Sequence, residues 1–425
     1  MHAAIRNSAG SNPATAQPGW PPVVVAGAFY TGLLLMRNLI GRGVQAVAFD
    51  CNPVQPGFRS VYGKTFLCPN PDENPAAWLT FMVNLAKNMD AKPVLIPSSD
   101  QFVSAIAAHA QELEKHFVFC YSAASLQATL ATKENQYALA AQHGMPIPRS
   151  QFITSAQDLD AFASTARFPC LLKPLHCREW EKMPGTHPLN GSKLATAESA
   201  EELRARYDSV SAFTPEVVVQ EMIEGPDTAK LVYLSCYSQT GKRLGSCLVR
   251  ELRTGPILFG SASIVEPVDD PETDELSDHF LRSIGYAGIC ELEVKRDTRD
   301  GTIKLIEANP RYSGTADAAP YAGVDIGWLH YLDLIGVDVQ PVRRNSHQYR
   351  HICLQRDFSS LRSYRKAGLL SWRQLLRSYR PPVYFYDFDL RDWRVSLATL
   401  KEVFKIIVGP YLRRLFPKKS AGQSH

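Results

Sequence analysis

The sequence predicts an α/β domain with a doubly wound parallel sheet, then an α+β domain, then a basic, mainly helical C-terminal region. Three observations support this division. Apolar runs alternate with helical patterns over residues 21–130, strand-rich segments dominate residues 131–340, and positive charge is concentrated in residues 341–425. At 425 residues the chain exceeds the size of one ordinary core, so two or three packed units are expected.

The composition is that of a globular protein, 45% hydrophobic and 21% charged. No segment has the roughly 18 uninterrupted apolar residues that a membrane-spanning helix needs. Residues 1–20 are rich in Ala, Ser, Asn and Pro and lack the apolar core of a secretory signal, so we interpret them as a disordered tail. The nine cysteines are scattered singly, which favours reduced thiols in a cytoplasmic protein and argues against a zinc site.

The first domain is predicted from apolar strands that alternate with helices. Residues 22–27 form an apolar run, residues 31–42 have helical spacing, and residues 44–50 form a second apolar run. Continuous apolar strands between helices imply a parallel sheet that is covered on both faces. The further elements expected here are strands at Pro93–Pro97 and Phe117–Tyr121 and helices at 75–88 and 100–115.

Two turns of this domain are candidate ligand loops. The turn from Gly27 to Gly32 lacks the full GxGxxG of a dinucleotide fingerprint, so an oxidoreductase with a nicotinamide or flavin site is the weaker alternative. Ser98, Ser99 and Asp100 follow the carboxyl end of a strand, where α/β sheets usually bind ligands. For Asp100 we favour a helix N-cap over contact with a ligand.

Two lysines of the second domain are candidates for binding a nucleotide phosphate. Lys173 lies inside the apolar strand Cys170–Pro174, where its ammonium needs either an anion or a strand edge from which to reach water. Lys133 begins a predicted helix, whose backbone N–H groups also favour phosphate. Taken singly, a lysine in either position is more often an ordinary surface lysine.

The strand at 216–224 ends in a turn and is a candidate for binding adenine. A strand that stops at a turn can present backbone N–H and C=O groups to an adenine edge, with apolar side chains as walls. Asp227, in the turn, is placed to accept ribose hydroxyls. The alternative is an ordinary strand and turn. The candidate strand residues are Gln220, Glu221, Met222 and Ile223.

The strongest signal is a predicted hairpin over residues 288–311. Because side chains alternate along a strand, Glu293 on the first strand shares a face with Glu307 and Asn309 on the returning strand, with Arg311 just beyond. Two carboxylates and an amide oxygen are ligands that Mg²⁺ takes, leaving positions for phosphate oxygens and water. Without a metal these carboxylates would repel one another. The pattern predicts a Mg²⁺ (or Mn²⁺) site, with a solvated acidic face as the alternative.

Together these segments resemble the ATP-grasp superfamily over roughly residues 20–340, and its carboxylate–amine ligase branch, which includes D-aspartate ligase. The family pattern is a lysine at the entry to the central domain, a lysine in a strand, an adenine-binding strand end and a Glu…Glu-x-Asn-x-Arg set. The segments ATKENQYALAAQHGMPIP and LIEANPRYSGTADAAPYAGVD carry the similarity. The matching residues are Lys133, Lys173, Gln220, Glu221, Met222, Ile223, Asp227, Glu293, Glu307, Asn309 and Arg311.

The resemblance implies an ATP- and Mg²⁺-dependent ligase that couples a small carboxylate to an amine through an acyl phosphate, releasing ADP and phosphate. It implies that the two lysines hold phosphates, and that the Glu221 carbonyl and the Ile223 N–H contact the adenine edge. Asp227 would bind the ribose. Arg311 and Arg253 would stabilise charge on the transferred phosphoryl group.

Two segments depart from the family pattern. Residues 175–193 are long and bulky where relatives carry a Gly/Ser-rich phosphate lid, which leaves Lys193 as the candidate phosphate ligand there. Relatives carry Lys-x-Arg near 251–253, whereas this chain has Glu251 and retains Arg253. These departures keep a second hypothesis open, a nucleotide-binding protein of the same fold without ligase activity.

The C-terminal region is strongly basic. Residues 340–425 hold 18 Lys and Arg against five Asp and Glu, while the rest of the chain holds 28 against 37. Residues 361–380 and 393–416 have helical periodicity. In the second segment we expect an apolar stripe to pack on the ligase body, leaving a solvated basic face. The members of that stripe are Leu397, Leu400, Phe404, Ile407, Tyr411 and Leu415.

The alternative for this region is peripheral contact of residues 361–419 with the inner face of an anionic membrane or with a polyanionic acceptor. Nucleic acid is not expected as a partner, because no recognised binding motif accompanies the charge. The sequence leaves the oligomeric state open, with a homodimer as one alternative because symmetric dimers are the commonest oligomers.

Overall fold

The N-terminal residues form the parallel sheet that the sequence predicts. Four strands lie in the order β3-β2-β1-β4, and every pairing is parallel. These strands are β1 Val23–Ala26, β2 Ala46–Asp50, β3 Lys64–Leu67 and β4 Val94–Pro97. The structure is a computed structural model. The residues that it describes are 12–120, 123–174, 179–192, 194–214 and 216–415.

Helices cover this sheet. The turn between β1 and the first helix requires glycine, because a Cβ on Gly32 would lie 1.9 Å from the carbonyl oxygen of Gly27. The helices of this part of the chain are α1 Tyr30–Gly41, α2 Pro75–Lys87, α3 Asp100–Ala108, α4 Ala110–Leu113, α5 Ala124–Leu130 and α6 Lys133–Gln142.

One strand prediction in this domain was wrong, and one strand was missed. Phe117–Tyr121 was expected to be a strand, but among the described residues it contributes only an isolated bridge between Val118 and Val94. β3 was not predicted, because Lys64–Leu67 is a partly exposed edge strand without an apolar run. Edge strands have solvent on one side, so their sequences carry little of the hydrophobic signal on which the prediction depended.

A seven-stranded mixed sheet is the second layer of the larger unit. Its order is β13-β12-β9-β10-β11-β14-β15. Its strands are β9 Lys230–Tyr237, β10 Arg243–Gly255, β11 Ser261–Pro267, β12 Gly288–Arg296, β13 Ile303–Asn309, β14 Arg350–Ile352 and β15 Val383–Phe385. The helices that follow these strands in this part of the chain are α9 Pro271–Ser283 and α10 Ile326–Leu334.

A four-stranded antiparallel sheet forms the smaller unit. Its order is β5-β8-β6-β7, with Leu172, Val217 and Val219 in a buried core under two helices. The strands are β5 Ser150–Ile153, β6 Cys170–Pro174, β7 Ala195–Ala197 and β8 Val217–Glu221. The helices are α7 Ala156–Ala163 and α8 Ala200–Ser211.

The division into units differs from the predicted boundaries at 130 and 340. The larger unit takes its described residues from Met1–Met145, Pro226–Val294 and Glu307–His425, and the smaller unit from Pro146–Gly225 and Lys295–Ile306. The C-terminal region belongs to the larger unit because β14 and β15 extend its sheet.

The C-terminal helices are α11 Leu354–Lys366, α12 Trp372–Ser378 and α13 Trp393–Leu415. The expected packing stripe on α13 was wrong for the four members whose side chains are described. Leu397, Leu400, Phe404 and Ile407 are exposed, and the buried side chains of this helix include Val395, Ser396, Thr399 and Val403. Tyr411 and Leu415 have side chains outside the described residues.

Part of the predicted disordered tail is ordered. Residues 1–11 lie outside the described residues, but the backbone amide of Gln340 donates to the Asn12 side chain at 2.7 Å. The Trp20 ring packs 6.1 Å from the Trp328 ring, centroid to centroid. Polar composition does not exclude order where a neighbouring element satisfies the backbone groups.

Candidate active site

A cavity of about 460 Å³ lies within the larger unit. The loops after β1 and β4, the strands β10 and β11, the β12–β13 hairpin and the C-terminal region all contribute to its wall. The polar lining includes Thr31, Ser98, Ser99, Asp100, Glu251, Ser261, Ser263, Glu291, Glu293, Glu307, Asn309, Arg311, His351 and Arg356.

The β12–β13 hairpin brings Glu293, Glu307, Asn309 and Arg311 to this one cavity. It also brings Glu291, to which the sequence analysis gave no role. The Asn309 side-chain amide donates to a carboxylate oxygen of Glu291 at 3.0 Å, which places the two strands' side chains directly opposite. The signal for Glu291 was present in the sequence, because period-two alternation sets it on the same face as Glu293.

A buried lysine, Lys230, lies beside two glutamates of the cavity. Its Nζ is 2.8 Å from Glu293 Oε2 and 3.1 Å from Glu251 Oε2. The antiparallel register that pairs Arg250 with Leu231 sets Lys230 opposite Glu251. Burial disfavours the charge on Lys230, but the two carboxylates outweigh burial and raise its pKa above the ordinary value. The sequence analysis missed Lys230, since its partner is identified only by the strand register.

Four glutamate side chains form one acidic wall of the cavity. Glu251, Glu291, Glu293 and Glu307 all line the cavity, with Lys230 as the buried ammonium between two of them. Burial raises the pKa of both Glu251 and Glu291, and the nearby Glu293 carboxylate adds to the effect. This wall is therefore suited to a cation that binds through oxygen atoms.

Arg311 and Asp100 form a bidentate pair across 211 residues of sequence. Arg311 Nε and Nη2 donate to the two carboxylate oxygens at 2.7 and 2.9 Å. The interpretation of Asp100 as the N-cap of α3 was wrong, because Ser99 holds that position and Asp100 is the first helical residue. Asp100 is instead explained by its ion pair with Arg311, which is distant in sequence.

The expected metal ligands fit Mg²⁺ by their chemistry. Glu293 and Glu307 supply carboxylate oxygens and Asn309 an amide oxygen, all on the cavity wall. Among the residues that the structure describes, no group of three or more His, Cys, Asp or Glu side chains is arranged to hold a metal. The protein alone would thus supply a partial coordination sphere, as is usual for Mg²⁺, which keeps waters and takes phosphate oxygens.

The structure places two of the predicted site residues in internal contacts instead. Arg253 is 4% exposed and donates to both oxygens of Asp357 at 2.8 and 2.9 Å, and it is not part of the cavity lining. The Asp227 carboxylate is buried and accepts from Thr254 Oγ1 and the Leu258 amide, each at 3.0 Å. This geometry favours a structural role for Arg253 and Asp227 over the catalytic and ribose-binding roles.

The smaller unit holds the predicted adenine and phosphate residues. Lys173 Nζ donates to the side-chain oxygen of Gln220, so the two side chains lie together. The Met222 amide donates to the Pro169 carbonyl at 2.9 Å, whereas the Ile223 amide forms no hydrogen bond with any described residue. The Glu221 carboxylate accepts from the backbone amide of Arg167 at 2.9 Å.

Two predicted phosphate ligands cannot be placed. Lys133 is the first residue of α6, but its side chain lies outside the described residues. Lys193 and residues 175–178 also lie outside them.

Known proteins resemble this chain in sequence and in fold. No family model matches the chain. It is 25% identical over 281 residues to a D-aspartate ligase of Enterococcus faecium, a match covering 64% of this chain and 66% of that protein. An ADP complex of N5-carboxyaminoimidazole ribonucleotide synthetase superposes with a TM-score of 0.60 at 13% identity, covering 82% of this chain and 86% of that chain. The chain is similar in sequence to this ligase and has the fold of this synthetase, both of them ATP-grasp enzymes.

A second ATP-grasp structure has a similar fold. The biotin carboxylase domain of 2-oxoglutarate carboxylase from Hydrogenobacter thermophilus, solved with MgADP and bicarbonate, has a TM-score of 0.56 at 17% identity. The match covers 77% of this chain and 73% of that chain. The predicted fold class is confirmed, with its parallel N-terminal sheet, its larger mixed sheet and its helices. The chain spans just under two thirds of the length of its D-aspartate ligase relative.

Proposed function

We propose that this ATP-grasp protein is an ADP-forming ligase that joins a carboxylate to an amine. A carboxylate oxygen of the substrate attacks the γ-phosphorus of ATP, and the bond from that phosphorus to the β–γ bridging oxygen breaks, giving an acyl phosphate and ADP. The amine nitrogen then attacks the acyl carbon. Phosphate leaves with the proton of the amine, and an amide remains. No protein nucleophile is needed, so positioning and charge neutralisation carry the catalysis.

The observation that carries the proposal is the acidic wall built by the β12–β13 hairpin. Glu293, Glu307 and Asn309 would hold Mg²⁺ there, and Arg311, on the same cavity, would stabilise charge on the transferred group. When bound, Mg²⁺ supplies neutralisation of the phosphate oxygens. Lys173 and the backbone at 220–223 would bind the nucleotide. The resemblance supports this, and so does the Ile223 amide, which donates to no acceptor of a described residue.

The descriptions of the similar proteins support an ATP-dependent ligase reaction. The sequence relative is described as a D-aspartate ligase, and the two structural relatives were solved with ADP, one of them with magnesium. Small-molecule carboxylates and amines are therefore the substrates to test.

A phosphate-release assay tests the proposal. The full chain is incubated with ATP and Mg²⁺, with and without a panel of amino acids and cell-wall precursors, and phosphate and ADP are measured. Substrate-dependent release of both is expected. If the chain binds ATP but releases phosphate with no member of the panel, the non-catalytic alternative, motivated by Glu251 and the bulky 175–193 segment, takes the place of the ligase.

We also propose that α13 attaches the protein peripherally to an anionic membrane surface. Five apolar side chains recur along one stripe of this helix at heptad spacing, and each is at least 45% exposed. They are Trp393 (57%), Leu397 (46%), Leu400 (47%), Phe404 (61%) and Ile407 (45%). Arg394, Lys401 and Lys405 are exposed along one flank of the stripe. An apolar stripe beside a basic flank is the pattern of a helix that lies in a membrane interface.

The basic flank of α13 also argues against the exposed stripe being covered by the α13 helix of a second copy. In an antiparallel two-fold pair of α13 helices centred on this stripe, the basic flank of one copy would face the same flank of the other, and like charges repel. On the opposite flank Ser396 and Val403 are already buried. Within the described residues no helix is long and apolar enough to cross a membrane.

Vesicle co-sedimentation separates the outcomes. The full chain should sediment with vesicles containing about 30% phosphatidylserine and stay in solution with pure phosphatidylcholine, because roughly 1 kcal/mol per basic residue depends on anionic lipid. Leu400→Glu/Phe404→Glu should abolish sedimentation. Equal recovery of the wild type and this variant, or a concentration-dependent dimer that the variant loses, would contradict membrane attachment.

A further inference from the structure

The basic side chains at the cavity have ionic partners among the described residues, with one exception. Arg311 pairs with Asp100, and His351 Nε2 lies 3.0 Å from Asp317 Oδ2. Lys230 pairs with two glutamates of the acidic wall. The exception is Arg356, which lines the same cavity and forms no ion pair with any residue that the structure describes.

The contacts that hold Arg356 among the described residues do not neutralise its charge. It lies in the first turn of α11, and its Nη1 donates to the backbone carbonyl of Ala262. The guanidinium carbon lies 5.9 Å from the centroid of the Tyr386 ring, within the range of a cation–π contact. A guanidinium has five N–H donors in a rigid fork, so several remain for a ligand.

A half-buried guanidinium on a cavity wall is costly to leave without an anion. A neighbouring observation also indicates a polar ligand. Ser99 Oγ is buried, belongs to a residue that lines the same cavity, and forms no hydrogen bond with any described residue. The cavity therefore offers an acidic wall for a metal ion and, separately, an unpaired cation with an unbonded hydroxyl.

We infer that Arg356 binds a second anionic group of the substrate, a carboxylate other than the one that is activated. This inference rests on the proposed ligase function and deepens it, because it restricts the substrate class to small dicarboxylates and acidic amino acids. A planar carboxylate matches the fork geometry of arginine and can accept two parallel hydrogen bonds. The residue is a specificity determinant supplied by the C-terminal region, outside the segment that carries the family resemblance.

The first test measures binding and needs no turnover. Succinate, butyrate and inorganic phosphate are titrated separately into three full-length proteins, and binding is measured by calorimetry. The proteins are the wild type, Arg356→Gln and the control Arg362→Gln, which changes an exposed arginine of the same helix. Glutamine removes the charge and keeps a donor for the Ala262 carbonyl. Succinate should bind the wild type and the control equally and bind R356Q about 10- to 100-fold more weakly, the usual range for losing a hydrogen-bonded charge pair.

The second test measures specificity during turnover. Aspartate and β-alanine differ by one carboxylate, so the ratio of their kcat/KM values reports the second anionic contact. R356Q should lower that ratio about 10- to 100-fold while the KM for ATP stays unchanged. Arg356→Lys keeps the charge without the fork and should recover part of the ratio.

The results of the binding and turnover tests distinguish a failed anion site from a failed ligase function. Succinate binding that R356Q does not weaken, absent binding to the wild type, or phosphate binding as tightly as succinate overturns the inference. If succinate binding depends on Arg356 but no carboxylate supports ADP release, the proposed ligase function fails and the anion site stands.

Discussion

The ammonium of Lys230 lies 2.8 Å from a carboxylate oxygen of Glu293 and 3.1 Å from one of Glu251. Glu251 occupies the position where the family resemblance leads one to expect lysine, and Lys230 stands opposite it on the neighbouring strand. The lysine beside the acidic wall is thus supplied by β9, whereas the family resemblance leads one to expect it from β10.

An exchange of the two residues tests this relationship. Lys230→Glu and Glu251→Lys should each lower the free energy of unfolding by about 3 kcal/mol or more, because each leaves buried like charges without a partner. The double variant should recover at least half of the loss, measured by urea unfolding in a double-mutant cycle. Additive losses would show that the two side chains do not interact energetically.

Lys173 is expected to bind nucleotide. Lys173→Ala should weaken ATP binding about 10- to 100-fold, since it removes a charge-assisted contact to phosphate. The measurement is a titration with a fluorescent ATP analogue, and the exposed Lys242 supplies the control variant Lys242→Ala. An unchanged Kd for K173A would remove Lys173 from the site.

The Arg253–Asp357 pair is expected to stabilise the fold. Arg253→Gln and Asp357→Asn should each cost about 3 kcal/mol in chemical unfolding, because each leaves a buried polar group or charge unpaired. For Arg253 a catalytic role makes a different prediction. R253Q would then lower kcat and leave the free energy of unfolding unchanged.

His330 should make the fold sensitive to acid. Burial lowers its pKa from 6.5 to about 4. As pH falls below 6.5 the unfolded chain binds a proton that the folded chain does not bind until about pH 4. Stability is therefore complete above pH 6.5 and declines between pH 6.5 and 4, by about 3 kcal/mol in all.

The variant His330→Phe removes this contribution. Between pH 7.5 and pH 5 the wild type should lose about 2 kcal/mol more unfolding free energy than H330F, measured by urea unfolding at both pH values. Parallel pH profiles for the two proteins would contradict the assignment.

The local sequence pattern was enough to predict the β12–β13 hairpin, which carries the expected metal ligands. Strand alternation and the turn between the strands put Glu293, Glu307 and Asn309 on one face, and the structure places all three on one cavity. The parallel sheet was likewise predictable, because its strands are continuous apolar runs between helices.

Residues that depend on distant partners could not be predicted. Lys230 required the register of β9 against β10, and the role of Asp100 required Arg311, which lies 211 positions away. On α13 the buried face includes Ser396 and Thr399 while the more hydrophobic stripe is exposed, so hydrophobicity alone indicated the wrong packing face. Arg356 and His351 reach the cavity only because the C-terminal strands extend the large sheet.

In the proposed ligase, opposing β12 and β13 side chains hold a divalent cation together with a triphosphate. Electron paramagnetic resonance of Mn²⁺, titrated with a non-hydrolysable ATP analogue, measures this directly. The wild type should bind one Mn²⁺ in a nucleotide-dependent manner, and Glu307→Gln should weaken binding at least about 10-fold while keeping its unfolding transition. Equal Mn²⁺ binding by the wild type and E307Q would contradict a metal site on this hairpin.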